Sequence, residues 1–228
     1  MAAFSLNFAG LAEYVPVFEH GLALTAVTAA IVTLGGVALG IAGGVIRYAG
    51  PGESLPRKLL YGFWTCYVEA IRNTPFIIQL FFIFFGFPQL GLQLSANVAA
   101  VAALILNLGA YVTEIVRSGL GTTPKGQWEA CRVLGLSRAQ AYVRVVNPPA
   151  LARVYPALVS QCVLVMLGSA VISQISVEDL TYAANWVQSL TFLSFECYLV
   201  ATILYLALAV VMRRLMLFAG RFLFRGGV

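Results

Sequence analysis

From Gly21 to Ile46 the chain carries no charged side chain. A helix over 20–46, rising about 1.5 Å per residue, is longer than the ~30 Å hydrocarbon core of a bilayer. Such a segment needs either lipid or a large protein core around it. With 61% apolar side chains in 228 residues, there is too little polar surface to cover a core of that size, so lipid is the solvent. Three further runs, 96–117, 150–175 and 196–217, read as spans in the same way. A fifth, 57–86, is helical in pattern, but at about 45 Å it is too long for one straight crossing. Its first turns are expected along the interface, with a bend at Pro75. That proline deletes the hydrogen bond to the Ile71 carbonyl, which Asn73 or Thr74 could satisfy instead. The expected fold is an all-α integral membrane protein of five transmembrane helices, one domain over 1–228.

The net charge of +5 raises the question of nucleic acid, but the positive-inside rule absorbs every basic residue. With the N-terminus outside and the C-terminus inside, Arg47, Arg57 and Lys58 fall in a first cytoplasmic loop. Lys125, Arg132, Arg138 and Arg144 fall in a second, and Arg213, Arg214, Arg221 and Arg225 at the C-terminal end. Arg72, Arg117 and Arg153 sit near the cytoplasmic ends of their spans. No lysine or arginine remains in the outer segments 1–20, 87–95 and 176–195. The first twenty residues lack a basic n-region and carry Glu13 and Glu19, unlike a cleavable signal. Cys66, Cys131, Cys162 and Cys197 show no C-x-x-C spacing and read as packing residues, and His20 as an interfacial residue.

One stretch departs from the apolar pattern: KGQWEACRVLGLSRAQAYVRVVNPP, residues 125–149. Within the loop 121–148, Thr123 and Pro124 start a helix that places Trp128, Cys131 and Leu134 on one side, and Gly135 stops it. Ser137 and Gln140 fit a capping box for a second helix with an apolar face of Ala139, Tyr142, Val143 and Val146. Asn147-Pro148-Pro149 is expected to end that helix ahead of the fourth span. Physical reasoning alone leaves two readings, a basic helix pair lying on lipid or an element that docks another protein. The tight glycine corner and Glu129 favour docking.

At these residues the chain resembles a family. EACRVLGLSRAQAYVRVVNPP is similar to the EAA loop of ATP-binding-cassette importer permeases, with Glu129, Ala130, Gly135, Val145 and Pro148 in place. Cys131 stands for an alanine and Asn147 for a leucine. YVEAIRNTPFIIQLFFIFFG (67–86), LNLGAYVTEIVRSGL (106–120) and TPKGQWEA (123–130) are similar to the polar amino-acid uptake subgroup, in the same order and spacing. The resemblance implies a MetI-like type I importer fold whose loop is a coupling helix. Gly126, Trp128, Glu129, Ala130, Cys131 and Gly135 would then face an ATPase subunit, with Glu129 in an ion pair and Trp128 an apolar anchor. The chain has no G-x-x-x-x-G-K-[ST] phosphate loop. It is expected to be no enzyme and to hold no cofactor, with ATP and magnesium bound by two partner ATPase subunits. A second permease subunit and an extracytoplasmic amino-acid-binding protein complete the implied assembly in a bacterial plasma (inner) membrane.

Polar residues inside spans are functional candidates by default. Glu69 with Arg72, and Glu114 with Arg117, are spaced to share a helix face, where structural pairing or snorkelling competes with a transport role. Arg72, Asn107, Tyr111, Glu114, Ser160, Gln161, Ser169 and Ser173 are the substrate-path candidates, with Gln174 nearby. Serines bonded back to their own helix are the plain alternative. The glycines Gly35, Gly36, Gly40, Gly43 and Gly44 suit close helix contact, either within this chain or with a second subunit. Where many relatives carry a lysine–aspartate pair, this chain has Leu167-Gly168, so either a subunit with a different substrate or one half of a heterodimer whose partner holds the binding charges is expected, the heterodimer being favoured. Glu178, Asp179 and Glu196 mark the outer face that the resemblance assigns to the binding protein. A secondary carrier would need an internal repeat and ion sites at the midplane, which this sequence lacks. A non-transporting scaffold would need no polar residues in its spans.

Overall fold

A computed structural model describes residues 6–224, the side chain of Arg138 excepted; Arg225 lies outside the described residues. Among the described residues all regular structure is helical. A 3-10 turn, Ala9–Tyr14, leads into α1, Val15–Ala49. Then come α2, Leu55–Arg72, and α3, Phe76–Phe81, which runs on through a π turn at Phe82–Gly86 and a 3-10 turn at Phe87–Leu90. Helix α4 spans Ala96–Gly121, capped by the Ser95 hydroxyl. The short α5, Lys125–Val133, and α6, Arg138–Ala141, precede a π turn at Tyr142–Val146 and α7, Asn147–Gly168. A 3-10 segment, Ser169–Ile175, then α8, Leu180–Thr191, and α9, Ser194–Leu223, complete the chain.

Four of these stretches, Ala9–Ala49, Ala96–Gly121, Ala139–Ile175 and Ser194–Leu223, are each long and apolar enough to cross a membrane; α2 with the Phe76–Leu90 stretch would make a fifth if taken as one span. The bend between those two, expected at Pro75, is a full 115° break. Asn73 and Thr74 do not take the freed Ile71 carbonyl. Asn73 donates to the Glu69 carbonyl at 2.8 Å and Thr74 to the Ala70 carbonyl at 2.8 Å. It is the Gln79 amide, one turn past the break, that reaches back to the Ile71 carbonyl at 2.8 Å and to Thr74 at 2.8 Å. A side chain that long spans the gap which two shorter ones, already bonded to the preceding turn, leave open.

The frame is the contact of α1 with α4. Gly35, Gly36, Gly40 and Gly44 face Ile105, Leu108, Val112 and Val116 in order, and Gly43 faces Thr113 and Trp64. The two helices therefore run parallel, and the bent pair carries the chain from one end of the bundle to the other. A methyl group at Gly36 would lie 2.7 Å from Leu108, and one at Gly44 2.6 Å from Val116. The small residues of the first span thus serve contact within this chain. Val112, Val116 and Leu120 are fully buried on that seam together with Val32 and Leu80.

The bundle has two unlike ends. At one, the close of α1 meets the α5–α6 elbow through Tyr48, Tyr142 and Trp128, whose ring centroids are 5.9 and 6.0 Å apart in sequence. At the other, α8 packs on the starts of α1 and α9 through Phe18, Leu180, Val187 and Cys197. Overpacking a tight seam costs about 1–3 kcal/mol, whereas alanine in an exposed helix gains up to ~1 kcal/mol over glycine. Gly40→Ala, which drives a methyl into Val112 and the Gly109 carbonyl, should lower the unfolding temperature in detergent. Gly62→Ala, on an open face of α2, should raise it or leave it unchanged.

Candidate functional site

The elbow is built by local rules. At its corner Gly135 takes a φ of +69°, and its N–H and that of Leu136 bond to the Arg132 and Cys131 carbonyls at 3.0 Å each. This is the glycine-terminated helix end that left-handed backbone permits. Two residues on, Ser137 N–H donates to Gln140 Oε1 at 2.9 Å and Gln140 N–H to Ser137 Oγ at 3.3 Å, a reciprocal capping box.

Several expectations for this loop need correction. Pro124 occupies the cap position, and Lys125 is the first helical residue. Leu134 does not share a side with Trp128 and Cys131: it is 75% exposed, because the turn at Gly135 swings it outward. On the second helix Tyr142 and Val146 pack inward, but Ala139 and Val143 are exposed and Ala141 is buried in their stead. The π turn at Tyr142–Val146 is the reason, since a widened turn shifts the helical register. Nor does Asn147-Pro148-Pro149 end the helix. The Asn147 N–H reaches the Tyr142 carbonyl five residues back, and the backbone continues into α7 without a break.

The implied coupling residues divide between two faces. Cys131 is buried within this chain, and Trp128 is half-buried against Tyr142. Gly126, Glu129, Ala130 and Gly135 are exposed. A methyl group at Gly126 would meet nothing of this chain within 4 Å. Among the described residues no side chain pairs with Glu129. Beside them lie Val133 and Leu134, 88% and 75% exposed; the sequence reading did not single out Val133 and placed Leu134 on the inner side. The signal for Val133 was available: an apolar side chain two residues past Cys131, on the opposite helix face.

The substrate-path candidates also divide. Asn107, Tyr111 and Gln161 converge with Thr74 and Gly168 on one cavity of about 180 Å³, open to one side. Asn107 donates to Gln79 Oε1 at 3.1 Å, which ties the cavity wall to the break in the second segment. The Arg72 guanidinium stands over the Tyr111 ring, 5.7 Å from its centroid. The serines lie elsewhere. Ser160 donates to Pro156 O at 3.1 Å, Ser169 to Met166 O at 2.6 Å and Ser173 to Ala170 O at 2.9 Å, the back-bonded alternative in all three cases. Thr74 in the lining, and Gln79 bonded to Asn107 behind it, are the polar groups that sequence reasoning missed.

Glu114 belongs to an ion network beside the cavity rather than to its lining. It accepts from Arg47 at 2.8 Å and from Arg117 Nε at 3.1 Å, while Glu69 lies 3.8 Å from Arg47. Arg47 is thus the last turn of α1, its side chain only 10% exposed, and not a loop residue. The network joins α1, α2 and α4 at the elbow end.

At the opposite end two of the three acids assigned to the outer face are internal. Asp179 is fully buried and accepts the Tyr182 N–H at 2.8 Å, capping α8; Glu196 is 6% exposed and accepts the Asn7 N–H at 2.9 Å. Glu178 alone remains outside, 3.7 Å from His20. Gly21 and the Thr25 hydroxyl, which accepts the Leu180 N–H at 3.1 Å, admit the start of α8 against α1.

Comparison with known proteins gives this arrangement a family. Residues 36–224 match the family described as the inner membrane component of binding-protein-dependent transport systems. A probable glutamine ABC transporter permease protein of Bacillus subtilis (strain 168) is 32% identical over 206 residues, 90% of this chain and 91% of that one. The arginine transport system permease protein of the same organism is 30% identical over 209 residues, 91% of this chain and 93% of that one. A crystal structure described as an amino acid ABC transporter with histidines superposes with a TM-score of 0.84 at 32% identity, covering 96% of this chain and 99% of that one. An inward-facing MetNI methionine ABC transporter shares the fold, with a TM-score of 0.69 at 20% identity over 88% of this chain and 94% of that one. The chain belongs to the family of binding-protein-dependent permeases. It is a multi-pass inner-membrane subunit with a MetI-like fold, and ATP hydrolysis is the work of separate subunits.

Burial pushes the Asp179 carboxyl up to about 6, against the lowering effect of its hydrogen bonds. Between pH ~4, where the unfolded chain loses this proton, and about 6, the folded state still holds it. Stability should therefore fall as pH rises through that window, by at most ~3 kcal/mol. Asp179→Asn keeps the cap and removes the titration. Its unfolding temperature should match or exceed that of the native sequence at pH 7.5, with the difference closing by pH 4; parallel curves would contradict the assignment.

Proposed function

We propose that this chain moves polar amino acids, handed over by an extracytoplasmic binding protein, through the cavity at Asn107, Tyr111 and Gln161. Two ATPase subunits would drive it by gripping the α5–α6 elbow. One observation carries the reading: Gln161 in the cavity and the elbow's second helix lie on a single helical stretch, Ala139–Ile175. A displacement applied at the elbow is delivered to the cavity wall by the same rod. The exposed Gly126, Glu129, Ala130 and Gly135, with Val133 and Leu134, form the gripping surface, where small residues allow close approach and Glu129 offers an unpaired charge.

The orientation follows from the two unlike ends. Arg57, Lys58, Lys125, Arg132, Arg144 and Arg221 all fall at the elbow end, which the positive-inside rule places in the cytoplasm. The end bearing α8, Glu13, Glu19 and Glu178 then faces outward as the docking surface for the binding protein. Chain direction supports five crossings, with the bent pair as the second.

Enclosing a pathway needs a second permease subunit, because the cavity opens to one side. Its lining holds no carboxylate. This favours a heterodimer whose other member supplies the binding charges, and uptake by a reconstituted homodimer of this chain would contradict that. Relatives handle glutamine and arginine by name, so the class is polar amino acids.

Two outcomes test the reading. Glu129→Lys should weaken retention of the ATPase through detergent purification about tenfold or more, as expected when one member of an interfacial charge pair is reversed, whereas Arg214→Glu on α9 should not. Asn107→Leu and Gln161→Leu should cut ATP-dependent uptake several-fold while leaving ATPase retention intact. Retention unaffected by Glu129→Lys, or uptake unaffected by both cavity variants, would refute it.

A further inference from the structure

The membrane-side face of the elbow forms a groove that the coupling role does not use. It is about 680 Å³ in volume and lies between the end of α1, the start of α2 and the inner side of α5 and α6. The gripping residues Glu129, Ala130, Val133 and Leu134 are not part of it. Its floor is the aromatic series Tyr48, Tyr142 and Trp128, and Val45 and Ala49 continue it along α1 toward the apolar bundle. Arg57 and Arg132 stand on its rim, one from each wall, and no carboxylate lines it. Among the described residues neither arginine has an ion-pair partner.

The groove is more than a basic surface. The Tyr142 ring forms part of its floor, while its hydroxyl has no accessible surface and is closed off by the protein around it. Arg57 is seated on the turn before α2: a side chain at Gly52, whose φ is +62°, would lie 2.9 Å from its Nε and displace it. The chain therefore holds two guanidinium groups over an aromatic floor, around a cavity with an apolar exit. A guanidinium is a strong partner for phosphate oxygens, and a phosphodiester brings acceptors without a donor of its own. The occupant that fits both the cationic rim and the apolar wall is an anionic phospholipid, its acyl chains leaving along α1. Basic pockets between membrane helices recognise such headgroups.

We propose that this groove is a binding site for an anionic phospholipid headgroup, held by Arg57 and Arg132 and wedged between the elbow and the α1–α2 corner. The site goes beyond the transport reading, and its failure would leave that reading standing.

The test is native mass spectrometry of the full chain, titrated with dioleoyl phosphatidylglycerol, dioleoyl phosphatidylcholine or inorganic phosphate. The native sequence should hold one phosphatidylglycerol in clear preference to phosphatidylcholine, and millimolar phosphate should not displace it. Removing both charges in Arg57→Gln/Arg132→Gln should weaken that binding about thirty-fold, the equivalent of ~1 kcal/mol at each arginine. Lys58→Gln, the loss of one charge beside the groove, should leave it unchanged. If the double variant does not fold, Arg57→Lys/Arg132→Lys retains the charges and should keep the preference for phosphatidylglycerol over phosphatidylcholine. Equal lipid retention by the native sequence and Arg57→Gln/Arg132→Gln, an equal effect of Lys58→Gln, or displacement by free phosphate would each overturn the proposal.

Discussion

The chain leaves the elbow through two consecutive prolines, and the helix does not break there. Neither Pro148 nor Pro149 has an N–H to give, and in an ordinary α-helix each ring would press on the carbonyl four residues before it. The preceding turn is widened instead, with the Asn147 N–H bonded five residues back to Tyr142. Val146 and Ala150, both buried, anchor the junction from either side. The result is one rod, Ala139–Ile175, about 55 Å long, with the elbow at one end and the polar cavity along its length. Every functional statement about this protein depends on that rod staying whole.

A rod needs a frame to act on. The parallel seam of α1 and α4 supplies it, because glycines let the two backbones approach closely and Val112 and Val116 fill the space they leave. At the elbow end the seam is reinforced by ions. A guanidinium as enclosed as that of Arg47 would be costly alone, and Glu114 and Glu69 compensate it while joining α1 to α4 and α2. At the other end the same task falls to Gly21, Thr25 and Asp179, which fasten α8 across the start of α1. The carboxyls that look like outward docking charges in the sequence are used as internal fastenings.

How far the sequence could be read follows from the range of each interaction. Patterns closed within four residues were legible: the capping box at Ser137 and Gln140, the glycine corner at Gly135, the Glu114–Arg117 pair. Apolar runs placed the helices, since lipid imposes their length. What could not be read depended on contacts distant in sequence. Nothing near Gln79 announces that it closes a gap at Ile71 and holds Asn107, and nothing near Glu196 announces that it receives the Asn7 N–H. The π turn was hidden for a related reason. Two prolines after an apolar face signal an end, unless the surrounding packing rewards a widened turn. Among the cavity candidates, the serines bond to their own helices, whereas Asn107 finds Gln79 on a neighbouring element and Gln161 lines the cavity.

The most direct measurement of the rod is a pair of distances in the assembled importer. With the exposed Cys66 replaced by serine, spin labels introduced by Val133→Cys on the elbow and Leu164→Cys beside the cavity report their separation with and without ATP. Movement as one body predicts that this separation within the chain stays constant while the Val133-to-elbow distance across the two permease subunits shortens on ATP binding. A change within the chain as large as the change between subunits would place a hinge between α5 and the cavity, at the Gly135 corner or at Tyr142–Val146, and contradict the account.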